Sequence, residues 1–70
     1  MNKEQIIAKI GELREELNKI ETVISSNLQA GIRPTDARLI PYQETFNTLE
    51  KQILELQDKL EILSKLDKQP

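Results

Sequence analysis

Apolar residues recur along the first part of the chain at alternating intervals of four and three positions. This heptad spacing places apolar side chains along one face of an α-helix. The stripe consists of Ile6, Ile10, Leu13, Leu17, Ile20 and Ile24. Lysine, glutamate, arginine, asparagine and serine fill most of the intervening positions, and no proline interrupts them. The pattern predicts an amphipathic helix over about residues 3–29.

A second stripe with the same spacing follows. It consists of Tyr42, Phe46, Leu49, Ile53, Leu56, Leu60 and Leu63. Pro41 stands just before it, and proline suits the first turn of a helix because its missing N–H is not needed there. The stripe predicts a second helix over about residues 41–66.

The connection, about residues 30–40, contains residues that end and restart helices. Gly31 suits the left-handed conformation that often follows a helix, and Pro34 prevents continuation. Thr35 or Asp36 could cap a short turn before the second helix. Because a short connection makes helices antiparallel neighbours, we predict an all-α, coiled-coil-like two-helix hairpin that forms a single domain over residues 1–70.

The stripes also predict a register. Pairing a positions with d positions of the antiparallel helix gives five layers, Ile24–Leu49, Ile20–Ile53, Leu17–Leu56, Leu13–Leu60 and Ile10–Leu63. The same register places Glu16 near Lys59 as an ion pair across the hairpin. Leu17 and Leu56 are then expected in a central packed layer.

A hairpin of this size buries little apolar surface, and small folds without disulfides or metals usually oligomerise. Apolar residues also occur outside the stripes. Grouped at the hairpin ends, such residues suggest a contact surface. The candidate interface residues are Ile7, Ile62 and Leu66 at the open end and Leu39, Tyr42 and Phe46 at the closed end, with Val23 and Ile40 nearby. We therefore expect a four-helix bundle formed as a homodimer, or a contact with another protein.

The residue inventory argues against catalysis. The chain has no histidine and no cysteine, so the commonest general base, the commonest metal ligands and disulfides are missing. It contains no phosphate-binding glycine motif, and its acid pairs at helical spacing are typical of a solvated face. We predict that it is not an enzyme and has no cofactor, metal site or small-molecule substrate.

Charge and hydropathy indicate whether the chain would contact nucleic acid or a membrane. The net charge is −2, with basic residues dispersed among acids, whereas nucleic-acid binding needs a clustered basic face. No apolar run approaches the ~20 residues of a membrane span, and the amino-terminal residues do not resemble a signal peptide. We expect a cytoplasmic protein that contacts neither nucleic acid nor membrane.

Two families share short motifs with the chain. The stretch Leu28-Gln29-Ala30-Gly31-Ile32-Arg33-Pro34, followed by Leu39, Tyr42 and Phe46, resembles the small subunit of exonuclease VII. That resemblance implies a non-catalytic accessory subunit that binds a large nuclease subunit through its helices. The stretch from Ile10 to Ile24, through Leu13-Arg14-Glu15-Glu16-Leu17-Asn18, looks like the opening of the small aspartyl-phosphate phosphatases of sporulation control. Their Ser-Gln-Glu-Leu-Asp signature would fall on residues 42–46, which lack its serine and its aspartate, so no phosphatase activity is implied.

Three functions fit these observations. The first is a non-enzymatic protein–protein interaction or assembly module that acts through the hairpin. The second is the accessory subunit of a nuclease resembling exonuclease VII. The third is a small acidic regulator or inhibitor of a host protein.

Overall fold

The computed structural model describes residues 2–67 and forms two long helices. Helix α1 spans Lys3–Gln29 and helix α2 spans Ile40–Asp67. They pack along one another in a rod of 57 × 16 × 16 Å, and no strand occurs between residues 2 and 67. The predicted all-α hairpin is confirmed, with α2 extending one residue beyond each predicted end. Residues 1 and 68–70 of the predicted domain lie outside the described residues.

Helix α1 begins with a reciprocal cap. The Asn2 side-chain oxygen accepts a hydrogen bond from the Gln5 backbone N–H at 2.8 Å, and the Gln5 side-chain oxygen accepts one from the Asn2 N–H at 3.0 Å. This capping box satisfies two backbone donors that the helix leaves without partners. It fixes the start of α1 at Lys3.

Gly31 ends α1 as its position in the sequence predicts. Its φ is +93°, in the left-handed region that side chains disfavour. The Gly31 N–H donates to the Leu28 carbonyl and the Ile32 N–H donates to the Asn27 carbonyl, each at 3.0 Å. These two bonds form a Schellman motif, which turns the chain away from the helix axis.

The connection is held by short-range hydrogen bonds. Asp36, rather than Thr35, caps the turn before α2, because its side chain accepts from the Arg38 N–H at 2.8 Å and its carbonyl accepts from the Leu39 N–H. The Gln43 side-chain amide donates to the Pro34 carbonyl at 2.8 Å. The first turn of α2 is thereby tied back to the loop.

The core lies between the helices. The buried residues of its main cluster are Ile6, Ile10, Leu13, Leu49 and Ile53. Half-buried residues of the two stripes pack against them, namely Leu17, Ile20, Leu56, Leu60 and Leu63. Leu17 and Leu56 therefore belong to the packed stripe, but neither is fully buried as a central layer would require.

The concavities between the helices indicate a register displaced by about one helical turn from the predicted one. Ile10 shares a concavity with Leu60, not with its predicted partner Leu63. Leu63 instead lies with Ile6. The shift gives Ile6 partners on α2, and its side chain is only 1% exposed.

The loop end shows the same displacement. Ile24 lies beside Phe46 and Asn47, whereas its predicted partner was Leu49. Lys59 lines a concavity with Ile6 and Leu63, and among the described residues it forms no ion pair with Glu16. The predicted Glu16–Lys59 contact is therefore wrong for the same reason.

Candidate interaction surface

Several large apolar side chains remain exposed on the hairpin. They are Ile7, Leu28, Ile40, Tyr42, Leu54, Ile62 and Leu66, with exposed fractions between 39% for Leu28 and 59% for Ile62. Isolated exposed apolar residues are ordinary, whereas several on one face indicate a contact surface. Their arrangement around the two helices therefore decides what they can do.

Three of the six predicted interface residues lie near the loop, and they differ in exposure. Leu39 is only 1% exposed, so it is a core residue, and its prediction as an interface residue is wrong. Leu39 ends the Asp36 turn directly before α2, where its N–H donates to the Asp36 carbonyl. Phe46 is half-buried, and Tyr42 is 42% exposed. Of these three, Tyr42 offers the most surface to a partner.

The other three predicted residues lie at the open end but do not form one patch. Ile7 lines a concavity with Gln57, and Ile62 lines a different one with Lys59. Lys59 lies one residue before Leu60, and Gln57 lies three residues before Leu60. At roughly 100° per residue, Lys59 and Gln57 therefore stand on opposite sides of the core stripe. The predicted open-end residues therefore lie on two separate surfaces of the hairpin and not in one patch.

We call the side that carries Ile7 the first flank. On α1 it includes Gly11 and Arg14, which share a concavity with Ile7. The same side continues toward the loop as a second concavity, since Glu21 lies seven residues after Arg14 and lines it. The first flank includes Ile7, Gly11, Arg14, Asn18, Glu21, Ser25 and Leu28 on α1 and Gln43, Asn47, Leu54 and Gln57 on α2.

The opposite side, the second flank, carries Lys59, Ile62 and Leu66. Leu66 follows Ile62 by four residues and so lies on the same face of α2. Ile62 and Leu66 are 59% and 57% exposed. On α2, the exposed apolar segment of this flank therefore lies at the open end.

The loop contains an ion pair between Arg38 and Asp36 that is made through two hydrogen bonds. The Arg38 guanidinium donates through Nε and Nη2 to the two carboxylate oxygens of Asp36, each at 3.0 Å. These side-chain bonds, together with the Arg38 backbone N–H, lower the pKa of Asp36 to about 2. The same pairing raises the pKa of Arg38. The Asp-x-Arg spacing is the signal in the sequence that could have predicted this pair.

No group of three or more acidic side chains that could hold a metal ion occurs among the described side chains of residues 2–66. Neither helix, over its described residues, is long and apolar enough to cross a membrane.

Comparison of the chain with protein-family models, with curated proteins and with solved structures finds no match.

Proposed function

We propose that the protein is a non-catalytic assembly module whose hairpin packs against further helices. The observation that carries this proposal is the exposure of large apolar side chains outside the hairpin core, Ile7 at 56% and Leu54 at 55% among them. An amphipathic helix with apolar residues on more than one side is suited to contact more than one neighbour. A bundle would bury these side chains.

The small core of the hairpin supports the same proposal. One stripe per helix gives a main cluster of five buried residues, and a single small core rarely supplies more than ~3–5 kcal/mol. The chain has no cysteine with which to add a disulfide. Helix packing between molecules would supply additional burial and stabilise the hairpin.

Sedimentation equilibrium of the purified chain tests the proposal directly, and we expect a mass above that of the monomer at micromolar concentration. A folded monomer at high micromolar concentration would exclude self-assembly. The tagged chain should then be isolated from its native cells after in-cell crosslinking. Recovery of one defined larger protein would indicate the accessory role that the exonuclease VII resemblance implies, whereas recovery of none would contradict the assembly function.

A further inference from the structure

The order of apolar and charged residues along the first flank of α1 is complementary to the same flank of an antiparallel copy. Its positions at intervals of seven residues are Ile7, Arg14, Glu21 and Leu28. Along the helix they are apolar, basic, acidic and apolar. If a second α1 lies alongside in the opposite direction, each apolar residue meets an apolar one and each charge meets its opposite.

We propose that this flank binds a second copy of the chain, with α1 packed antiparallel on α1 of the partner about a two-fold axis near residues 17 and 18. The proposal rests on the assembly function proposed above and names its partner. Ile7 contacts the partner's Leu28, and Arg14 pairs with the partner's Glu21. Two-fold symmetry forms each contact twice, as in most closed homodimers.

The hairpin leaves these side chains available. Ile7 is 56% exposed and Leu28 is 39% exposed. Arg14 and Glu21 are both exposed, and neither takes part in an ion pair with another side chain of residues 2–66. Each lines a concavity on the first flank, Arg14 toward the open end and Glu21 toward the loop. The two-fold operation brings these concavities of opposite charge together.

The residues between these positions are small. Gly11, Asn18 and Ser25 occupy the intervening positions of the same flank. Gly11 lies in the interior of α1, where glycine weakens a helix by about 0.8–1.0 kcal/mol relative to alanine. Nothing lies within 4 Å of a Cβ added there, so packing within the hairpin does not require this glycine. Close approach of a second helix accounts for it.

The second flank lacks this self-complementarity. Its exposed apolar residues, Ile62 and Leu66, lie at the open end of α2. They have no apolar counterparts near the loop end of α2 on that flank, where Thr45 and Thr48 stand. An antiparallel two-fold contact would leave them opposite polar residues. The first flank is therefore the better surface for a second copy.

Disulfide crosslinking tests the geometry without background, because the natural chain has no cysteine. Asn18→Cys places a thiol beside the proposed axis, and we expect oxidation to give an interchain disulfide in most molecules. Lys19→Cys is the matched control, one residue away and turned roughly 100° off the flank, and it should remain largely unlinked. Preferential linking of Lys19→Cys would overturn the proposal.

Charge exchange tests the contacts. Arg14→Glu creates two Glu–Glu contacts per dimer, and we expect the dimer dissociation constant from sedimentation equilibrium to rise roughly tenfold. Glu21→Arg should do the same, and the double variant should return to within about threefold of the natural chain. Lys19→Glu and Glu15→Arg carry the same charge changes off the flank and should have little effect. Failure of the double variant to restore binding would overturn the proposed pairing.

The outcomes separate this proposal from the function on which it rests. A dimer that Ile62→Lys/Leu66→Lys dissociates, and that Arg14→Glu leaves intact, overturns the first-flank proposal but supports assembly. If the natural chain stays monomeric at high micromolar concentration, the proposal that a second copy is the partner is overturned. The proposed assembly function is then decided by whether a larger protein is recovered from native cells. A dimer that responds to Arg14→Glu and withstands the double lysine substitution supports both.

Discussion

At the scale of single residues, the apolar side chains of the hairpin differ in how much of their surface is buried. Ile53 is 6% exposed whereas Ile62 on the same helix is 59% exposed, although both are isoleucines in a heptad-patterned helix. Burial of apolar surface contributes free energy in proportion to the area removed from water. Identical substitutions at these two positions should therefore differ in effect.

We predict that Ile53→Val lowers the free energy of unfolding by about 0.5–1.5 kcal/mol, the usual cost of deleting one buried methylene. Ile62→Val is the matched control and should change it by less than about 0.5 kcal/mol, as surface substitutions do. Denaturant unfolding at one fixed protein concentration measures both. Equal losses at the two positions would show that the core lies elsewhere.

Asp36 provides a second residue-scale prediction. Its folded-state pKa is about 2, below the ordinary 3.8, because of the Arg38 hydrogen bonds. A lowered carboxyl pKa stabilises the folded state above the ordinary pKa, and the contribution is lost as pH falls through about 2. Arg38→Ala should move the carboxyl NMR titration of Asp36 upward, while Arg33→Ala should leave it in place. An unshifted titration in Arg38→Ala would contradict the assigned cause.

At the scale of elements, local chemistry sets where each helix begins and ends. The heptad stripes, Gly31 and Pro41 were sufficient to predict both helices to within one residue, because these signals act within a turn or two of the chain. The register was not predictable in the same way. Sliding one stripe by a helical turn still places Ile and Leu opposite Ile and Leu, so hydrophobic burial barely distinguishes the alternatives.

The contacts that decide the register lie in the connection. The Schellman bonds at Gly31, the Asp36 turn and the Gln43–Pro34 hydrogen bond fix how far the chain travels before α2 starts. An exposed ion pair such as the expected Glu16–Lys59 contact is worth only a few tenths of a kcal/mol, too little to override them. The candidate surface was partly predictable: Ile7, Tyr42, Ile62 and Leu66 are exposed, but the side of the hairpin each occupies depends on the register.

The two glycines give a prediction at this scale. Gly31→Ala should destabilise the hairpin by about 1–2 kcal/mol, since an L-residue is strained at a φ of +93°. Gly11→Ala is the matched substitution inside α1. At a protein concentration at which the chain is monomeric it should stabilise α1 by about 0.5–1 kcal/mol, because alanine favours the helix and the added methyl group meets nothing within 4 Å in the single hairpin. Thermal unfolding followed by circular dichroism measures both. Effects of the same sign would contradict the assigned helix end.

At the scale of the whole molecule, a narrow rod of 57 × 16 × 16 Å has little interior. Its stripe residues are partly solvent-exposed even at mid-helix, as Leu17 and Leu56 are, because two helices cannot enclose a core on all sides. Packing a second hairpin on one flank would close that side of the core. Assembly and folding are then coupled by mass action.

The most direct test of assembly is the dependence of the thermal unfolding midpoint on protein concentration, measured by circular dichroism from about 1 µM to about 300 µM. If the hairpin is stabilised by a second copy, the midpoint rises by several degrees across this range and the mass from light scattering moves toward twice that of the 8.1 kDa chain. A midpoint that stays constant, with a monomer mass throughout, would contradict self-assembly.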